Sequence, residues 1–234
     1  PVQGDIPQSL RDKLAEMGYF GIRIPEEYGG SGLGCFEYCL IAEQLARGWM
    51  SVASLIARGN GTLMIDLLNK EQKETLLPKV ASGDYLSAVS LSEPDTGSDL
   101  ASMSCRAVRD GDEYVITGNK YWCTFADGAD YIVLFARTAP SPDEKRRHLG
   151  ISALLIDKQR GALPPGVQGS EIPKIGYFGW KTWELAFDEF RVPITALLGE
   201  EGKAFYAIAK GLDEARAHTA ARSIGLAQGA LEDA

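Results

Sequence analysis

Apolar side chains in the first third of the chain recur at helical spacing. Within residues 10–17 they fall at i, i+4 and i+7, which places them on one face of an α-helix. Two longer segments with apolar periodicity, 35–45 and 52–68, predict two further helices. The segment KEQKETLLPKVASG predicts a short helix after them. We therefore predict an N-terminal helical domain over residues 1–84.

From about Tyr85 the pattern changes to an alternation of apolar and polar residues, which is typical of half-buried β-strands. The segment CRAVRDGDEYVITG predicts a hairpin with Asp110-Gly111 or Gly111-Asp112 in its turn. The other candidate strands are YLSAVSL, KYWCTF, DYIVLFART, LGISALLID and TWELAFDEF. Because no helical segment separates them, we predict a middle antiparallel β-barrel or sandwich domain over residues 85–193 rather than β-α-β units.

Helical character returns after Pro193. The segment GKAFYAIAKGLDEARAHTAARSIGLAQGALEDA is rich in alanine, and small residues suit close packing of helices. We predict that residues 194–234 are the start of a C-terminal helical bundle, incomplete here, whose last helix has no neighbour to pack against. The predicted fold class is therefore multidomain α+β, with helical, β and helical parts in chain order.

Composition narrows the classes of function. Apolar residues make up 45% and charged residues 24% of the chain, as in ordinary globular proteins, and no apolar run is long enough for membrane insertion. The net charge of −8 argues against a nucleic-acid partner. No signal or transit peptide is visible. The four cysteines form no C-x-x-C pair, which favours a reducing compartment and argues against a metal site.

The glycine-rich loop GGSGLG has the composition of a dinucleotide-binding fingerprint but not its context. That fingerprint requires a preceding strand, whereas these glycines join two predicted helices. We interpret the loop as an interhelical turn.

The segment LSEPDTGSD, residues 91–99, is the most informative one for chemistry. It follows a candidate strand, and Pro94 and Gly97 favour a tight turn or a close approach by a ligand. Its backbone N–H groups suit a phosphate. The alternative, which local physics favours, is a plain turn without a ligand.

A second segment, KYWCTF, places an indole two residues before a hydroxyl. In a regular strand the side chains of Trp122 and Thr124 lie on the same face. There the indole could flank a flat ring system, and the hydroxyl could reach a ring nitrogen. The alternative is a core tryptophan beside an incidental threonine, and the residues alone favour it.

Several segments, in this order, together resemble the acyl-CoA dehydrogenase family over essentially the whole chain. IPEEYGGSGLG is similar to the family's early loop, LSEPDTGSDLAS to its most specific signature and GNKYWCT to its flavin-contact strand. DEFRVPITALLGEEGKAF and KGLDEAR are similar to the junction into the C-terminal helices. Cys123 and Phe125 depart from the isoleucine and asparagine that are usual in the strand motif.

The resemblance implies FAD as cofactor and α,β-dehydrogenation of an acyl-CoA to an enoyl-CoA, in which a base takes the α-proton and flavin N5 takes the β-hydride. It also implies fatty acid or amino acid catabolism, electron transfer flavoprotein as acceptor, and a homotetramer or dimer. The compartment would be the cytoplasm in a bacterium and the mitochondrial matrix in a eukaryote. Two alternatives stay open: oxidase, monooxygenase, nitroalkane oxidase or desulfinase chemistry on the same fold, or a non-catalytic truncated subunit.

The same resemblance implies a set of cofactor-binding residues. Gly97 and Ser98 would approach the pyrophosphate, Trp122 would pack against the isoalloxazine, and Thr124 would hydrogen-bond near N5. The full set that it implies is Val89, Leu91, Ser92, Gly97, Ser98, Trp122, Cys123 and Thr124.

For the substrate, the resemblance implies contacts of coenzyme A with Ser98, Asp213 and Arg216. A guanidinium pairs well with phosphate oxygens. The alternative for Arg216 is a solvated helix face. Arg58, in an otherwise apolar helix, suits neutralisation of an acidic acyl group, although snorkelling to the surface is the more common behaviour of such a residue.

No residue is assigned as the catalytic base. The resemblance implies a glutamate beyond Ala234, or, in a minority of relatives, at the position that Ala215 occupies here. Glu214 lies one residue earlier, about 100° around the helix, so it should face elsewhere. We therefore expect that these 234 residues alone do not turn over an acyl-CoA.

Overall fold

The computed structural model describes residues 5–234, apart from the side chains of residues 62–64, and the chain forms two compact units. The helical unit contains the described residues up to Leu86, together with Ile175–Trp180 and Ala209–Ala234. The β unit contains Ser87–Lys174 and Lys181–Ile208. The three-part division of the sequence at residues 84 and 193 stays a prediction, and residues 1–4 of its first domain lie outside the described residues.

The predicted helical segments are confirmed as helices. The segment 52–68 contains two helices rather than one, because the backbone of Gly61 is extended (φ −68°, ψ 111°) and interrupts the helix. Asn69 caps the next helix by accepting a hydrogen bond from the Gln72 amide at 2.9 Å. Within the described residues the α-helices are α1 (Gln8–Glu16), α2 (Cys35–Gly48), α3 (Met50–Asn60), α4 (Thr62–Leu67), α5 (Lys70–Ala81) and α6 (Ala204–Glu232).

Two glycines bring α6 into backbone contact with α2. A Cβ atom at Gly225 would lie 2.0 Å from the carbonyl oxygen of Glu43, and one at Gly229 would lie 2.3 Å from that of Arg47. Both distances are shorter than any side chain permits, so glycine is required at both positions. The expectation that the last helix has no neighbour is therefore wrong over its second half.

The β unit is one sheet whose strands follow the order β6-β7-β3-β2-β4-β5-β8, with β1 paired to β4. Most pairs are antiparallel, while β1–β4 and β2–β4 are parallel. The fold class is confirmed, with a mixed sheet in the middle part. The strands are β1 (Ser87–Ser90), β2 (Arg106–Asp110), β3 (Glu113–Thr124), β4 (Tyr131–Arg137), β5 (Ile151–Asp157), β6 (Gln168–Glu171), β7 (Thr182–Pro193) and β8 (Leu197–Leu198).

The predicted hairpin joins β2 to β3 through a two-residue turn, Gly111-Asp112, in which Gly111 has a φ of 62°. The segment KYWCTF is not a strand of its own: all of it except Phe125 forms the end of the long strand β3. Strands β6 and β8 were not predicted, because β6 is exposed throughout and β8 has only two residues. Strand β4 lies inside the sheet and is buried from Tyr131 to Ala136, which explains its continuous apolar run.

Candidate functional site

The two chemistry-bearing segments lie side by side in the β unit. The loop that follows β1 runs along the end of β3, where the backbone N–H of Tyr121 donates to the carbonyl oxygen of Ser92 at 2.8 Å. The Cys123 thiol lies 3.5 Å from the carbonyl oxygen of Val89. Residues that are about 30 positions apart in sequence therefore form one surface, which we call the 91–98/121–124 surface.

The loop is closed by a tight turn at its start. Glu93 and Thr96 exchange backbone hydrogen bonds of 2.8 and 3.1 Å, and Pro94 and Asp95 form the corner. Proline fits the corner because its fixed φ suits a turn and its missing N–H leaves no donor unsatisfied. The turn brings Gly97 back beside the strand.

A buried ion pair fixes this loop to β3. The Lys120 ammonium is fully buried and donates to the Glu93 carboxylate at 3.0 Å and to the Leu91 carbonyl oxygen at 3.0 Å. The same carboxylate accepts hydrogen bonds of 2.7 and 2.9 Å from the backbone N–H groups of Ser104 and Cys105. Every strong donor and acceptor of the pair is thus satisfied, which buried charges require.

These contacts determine the direction in which the pKa of the Glu93 carboxyl is shifted. Burial acts to raise the pKa of the carboxyl, but the charge of Lys120 and the donors of Ser104 and Cys105 outweigh it, so the pKa is lowered below its ordinary value of 4.5. The carboxylate is therefore ionised at neutral pH. Sequence reasoning missed both residues of this pair, although a lysine inside an apolar strand and an acid in a turn motif were visible in the sequence.

Gly97 and Ser98 present free donors at the exposed part of the loop. Both residues are exposed, and among the described residues neither backbone N–H has a hydrogen-bond acceptor. A Cβ atom at Gly97 would meet nothing within 4 Å. Two successive N–H groups and the Ser98 hydroxyl therefore suit an anionic oxygen group such as a phosphate.

Trp122 has an unusual backbone and an exposed ring. Its φ is 61°, at a register shift of the β3–β7 pair between Lys120 and Cys123. The bulge leaves 57% of Trp122 exposed, with Tyr121 packed edge-on against it at a centroid distance of 4.9 Å. A left-handed non-glycine residue at a bulge often marks a functional site. The exposed indole offers a flat surface for another ring.

The two residues that follow Trp122, Cys123 and Thr124, differ in their exposure. The Thr124 hydroxyl is half-buried and lies 3.1 Å from that of Thr182 on β7. Cys123 is fully buried, so it has no exposed atom at this surface. The argument from alternation assumed a regular strand, whereas the bulge at Trp122 interrupts β3. The roles of these residues toward a flavin stay predictions.

The predicted substrate residues of α6 lie in the helical unit. Asp213 and Arg216 form an ion pair of 2.9 Å, and both side chains are largely exposed. Glu214 is held by Arg23 through contacts of 3.0 and 3.2 Å. Glu214 is therefore engaged in an ion pair. Ala215 lines a small cavity of about 40 Å³.

Comparison with known proteins gives a consistent result. The family model described as acyl-CoA dehydrogenase, N-terminal domain, matches residues 2–84, and the model described as acyl-CoA dehydrogenase, middle domain, matches residues 88–190. The chain is 43% identical to (2S)-methylsuccinyl-CoA dehydrogenase of Cereibacter sphaeroides, over 97% of this chain and 42% of that protein. It is 40% identical to benzylmalonyl-CoA dehydrogenase of Aromatoleum aromaticum, over 96% of this chain and 58% of that protein.

Solved structures agree with the sequence comparison. The structure of acyl-CoA dehydrogenase from Geobacillus kaustophilus superposes with a TM-score of 0.86 at 33% identity, over 97% of this chain and 59% of that one. The chain thus spans about half the length of the curated relatives that it matches. Among the described residues, no helix combines the length and the apolar character that a membrane crossing requires.

Proposed function

We propose that this chain, which belongs to the acyl-CoA dehydrogenase family, carries the flavin-binding part of an enzyme that converts an acyl-CoA to the α,β-unsaturated enoyl-CoA. The observation that carries the proposal is the 91–98/121–124 surface, where free N–H donors and an exposed indole lie on neighbouring segments. FAD, when bound, supplies the acceptor for the hydride that leaves the β-carbon, while the α-proton goes to a base.

The residues of this surface fit the parts of FAD by their chemistry. The N–H groups of Gly97 and Ser98 would hold the pyrophosphate, since both lack an acceptor among the described residues. Trp122 would cover the flavin ring, and the Thr124 hydroxyl would hydrogen-bond to it. The contacts of Val89, Leu91, Ser92 and Cys123 would come from backbone and adjacent side-chain atoms.

For the substrate, Ser98, Asp213 and Arg216 are the proposed coenzyme A contacts. Arg216 is exposed and its only ion-pair partner among the described residues is Asp213, so it is accessible to a phosphate. We assign no base: Glu214 is paired with Arg23 and Ala215 has no titratable group. Electron transfer flavoprotein as acceptor and a homotetramer or dimer belong to the same proposal.

The acyl group itself is not specified by the family. Two of the relatives are named for methylsuccinyl-CoA and benzylmalonyl-CoA, and each of these acyl groups has a second carboxyl group. Their names motivate a substrate panel that includes dicarboxylic acyl-CoA thioesters beside simple ones.

A substitution at Gly97 tests the flavin site. Gly97→Val introduces a branched side chain into open space, without a left-handed backbone to strain. The variant should therefore fold normally, yet lose most of its flavin, because the side chain stands where the phosphate must approach. Flavin content per protein of the purified native protein is the measurement.

Gly61→Val is the matched control. Gly61 is also exposed, with a φ of −68°, and a Cβ atom added there would lie 3.7 Å from its nearest neighbour, the carbonyl oxygen of Ala57. It belongs to the helical unit and not to the proposed flavin surface, so the control variant should keep its flavin. Wild-type flavin content in Gly97→Val would contradict the assignment of the loop to the pyrophosphate.

A further inference from the structure

The helical unit buries an arginine that has no acidic partner among the described residues. Arg222, on α6, is only 8% exposed. Its guanidinium donates to the hydroxyls of Ser54, of Thr219 at 2.9 Å and of Tyr177 at 3.4 Å. All three acceptors are neutral, and among the described residues no carboxylate lies within ion-pair distance of Arg222.

Two other arginines of the same unit have acidic partners. Arg23 is half-buried and faces Glu214 at 3.0 Å, and Arg47, at the surface, faces Glu232. Arg222 is more buried than either of them. A desolvated cation that has only neutral partners is unfavourable by itself, so an external anion would improve the electrostatics at this position.

A second cation and two unsatisfied polar groups surround the same place. Arg58, on α3, lies over the ring of Trp180 at 5.0 Å. The Tyr38 hydroxyl is buried and has no hydrogen-bond partner among the described residues, and the same holds for Nδ1 of His218. The rings of Tyr38 and His218 lie 5.0 Å apart. We call Tyr38, Arg58, His218 and Arg222 the basic cluster.

The two arginines of the basic cluster affect the pKa values of its other two members. Burial and the charges of Arg222 and Arg58 lower the pKa of His218 to about 4, so this imidazole is neutral at pH 7. Burial raises the pKa of Tyr38, while both arginines oppose that effect. Tyr38 thus keeps its proton as a donor. An anion placed here would meet guanidinium groups and a phenol O–H, which suit carboxylate oxygens.

A cleft lies beside Tyr177, one of the hydrogen-bond partners of Arg222. It has a volume of about 610 Å³ and is lined by Gly48, Trp49, Met50, Ser51, Tyr177, Phe178 and Leu226. Tyr177 belongs both to the cleft wall and to the contacts of Arg222, and its left-handed backbone, with φ 60°, is costly for a tyrosine. Mostly apolar walls, one of which is formed by a residue that contacts a buried cation, suit a ligand that is apolar along its length and anionic at one end.

We propose that the basic cluster binds the free carboxylate of a dicarboxylic acyl group, with Arg222 as its main charged contact. This inference rests on the proposed function, and it narrows the substrate class to coenzyme A thioesters that retain a second, ionised carboxyl group. Arg222 acts as a specificity residue: it binds the distal carboxylate and takes no part in the transfer of the proton or the hydride.

The test compares an acid with its neutral ester. Glutaryl-CoA and adipyl-CoA, and the ω-methyl esters of both, are supplied to the native holoprotein. Each thioester reduces the flavin, an artificial acceptor reoxidises it, and kcat/KM is measured from the reduction of that acceptor. The wild type should prefer the acids by about 10- to 100-fold, as expected for one charged hydrogen-bonded contact. Arg222→Met should reduce that preference to within about threefold while it keeps activity toward the esters.

Two further variants make the result specific. Arg222→Lys keeps the charge without the fork of donors, so it should restore part of the preference. Lys79→Met removes an exposed positive charge from the same unit and should leave the preference unchanged. A general change of net charge would instead affect Lys79→Met and Arg222→Met equally, which would overturn the proposal.

The outcomes separate this inference from the proposed function. If neither acids, esters nor simple acyl-CoA thioesters reduce the flavin, the proposed function fails. If the esters and butyryl-CoA are turned over as well as the acids, the function stands and the carboxylate site is wrong. The same conclusion applies if Arg222→Met retains the full preference for the acids.

Discussion

Each unit of this protein buries a cation, and the two cations have different surroundings. In the β unit Lys120 is fully buried against the Glu93 carboxylate, which two backbone N–H groups also contact. In the helical unit Arg222 is nearly as buried, but its partners are the hydroxyls of Ser54, Thr219 and Tyr177. Lys120 has a carboxylate partner, whereas Arg222 has none among the residues that the structure describes.

The difference separates a structural charge from a binding charge. A buried ion pair that satisfies all of its hydrogen bonds holds its neighbours in one arrangement, and here those neighbours are the flavin loop and β3. A buried cation that has only neutral partners is stabilised when an anion binds. Removal of the Lys120 charge should therefore lower the stability of the protein, whereas removal of the Arg222 charge should leave it unchanged or raise it.

The largest effect is expected for Lys120→Met. This change leaves the Glu93 carboxylate buried beside an apolar side chain, and removing one partner of a buried pair typically destabilises a protein by about 3–5 kcal/mol. The flavin should be lost as well, because the 91–98 loop is no longer held against β3. Chemical denaturation of the native protein and its flavin content are the measurements.

Lys203→Met serves as its control, since Lys203 pairs with Glu200 at the surface of the same unit. Loss of an exposed pair should change stability by less than about 1 kcal/mol. Similar losses for Lys203→Met and Lys120→Met would show that the buried pair has no special role.

The pH dependence of the β unit has a defined direction. The folded-state pKa of Glu93 is lowered, so its contribution to stability is present above the ordinary pKa of 4.5 and is lost as the pH falls below that value toward the folded pKa. Lys120→Met should weaken this dependence. The measurement is the free energy of unfolding of both proteins between about pH 6 and about pH 3, a range in which carboxyl groups titrate.

A smaller effect of opposite sign is expected for Arg222→Met in the absence of substrate. No carboxylate among the described residues is left behind, and a methionine fills similar space without a charge to desolvate. Stability should stay the same or rise by about 1 kcal/mol. A loss close to that of Lys120→Met would mean that Arg222 is a structural residue held by its three hydroxyls.

The smallest effect is expected at the surface of α6. Arg216 is mostly exposed and forms an ion pair with Asp213. Its contact with a phosphate of coenzyme A should therefore contribute at most about 1 kcal/mol to binding. Arg216→Ala should raise the KM for an acyl-CoA by less than about tenfold, and leave the KM for the pantetheine-truncated thioester unchanged. Equal increases for both substrates would exclude a nucleotide contact.

Local patterns in the sequence were sufficient for the elements that carry the proposed flavin site. The alternation that begins near Tyr85 and the turn at Gly111-Asp112 depend on neighbouring residues alone, and both are present in the structure. Motif similarity pointed to the two segments of the 91–98/121–124 surface, which hydrogen bonds join in the β unit. The short strand β8 has too few residues for any periodicity.

The features that set the two charges apart were not visible in local patterns. Glu93 and Lys120 are 27 residues apart, and only the pairing of the loop with β3 brings them together. The bulge at Trp122 arises from a register shift with β7, which a single strand does not reveal. Arg58 and Arg222 lie on different helices, so the basic cluster exists only after the helices pack.

An anaerobic titration of the purified native protein with acyl-CoA thioesters tests the central claim most directly. We predict that the protein is isolated with FAD, that one equivalent of a suitable dicarboxylic acyl-CoA removes the absorbance of the oxidised flavin, and that the enoyl-CoA appears in equal amount. A protein that carries no flavin, or whose flavin stays oxidised with every acyl-CoA offered, would contradict this claim.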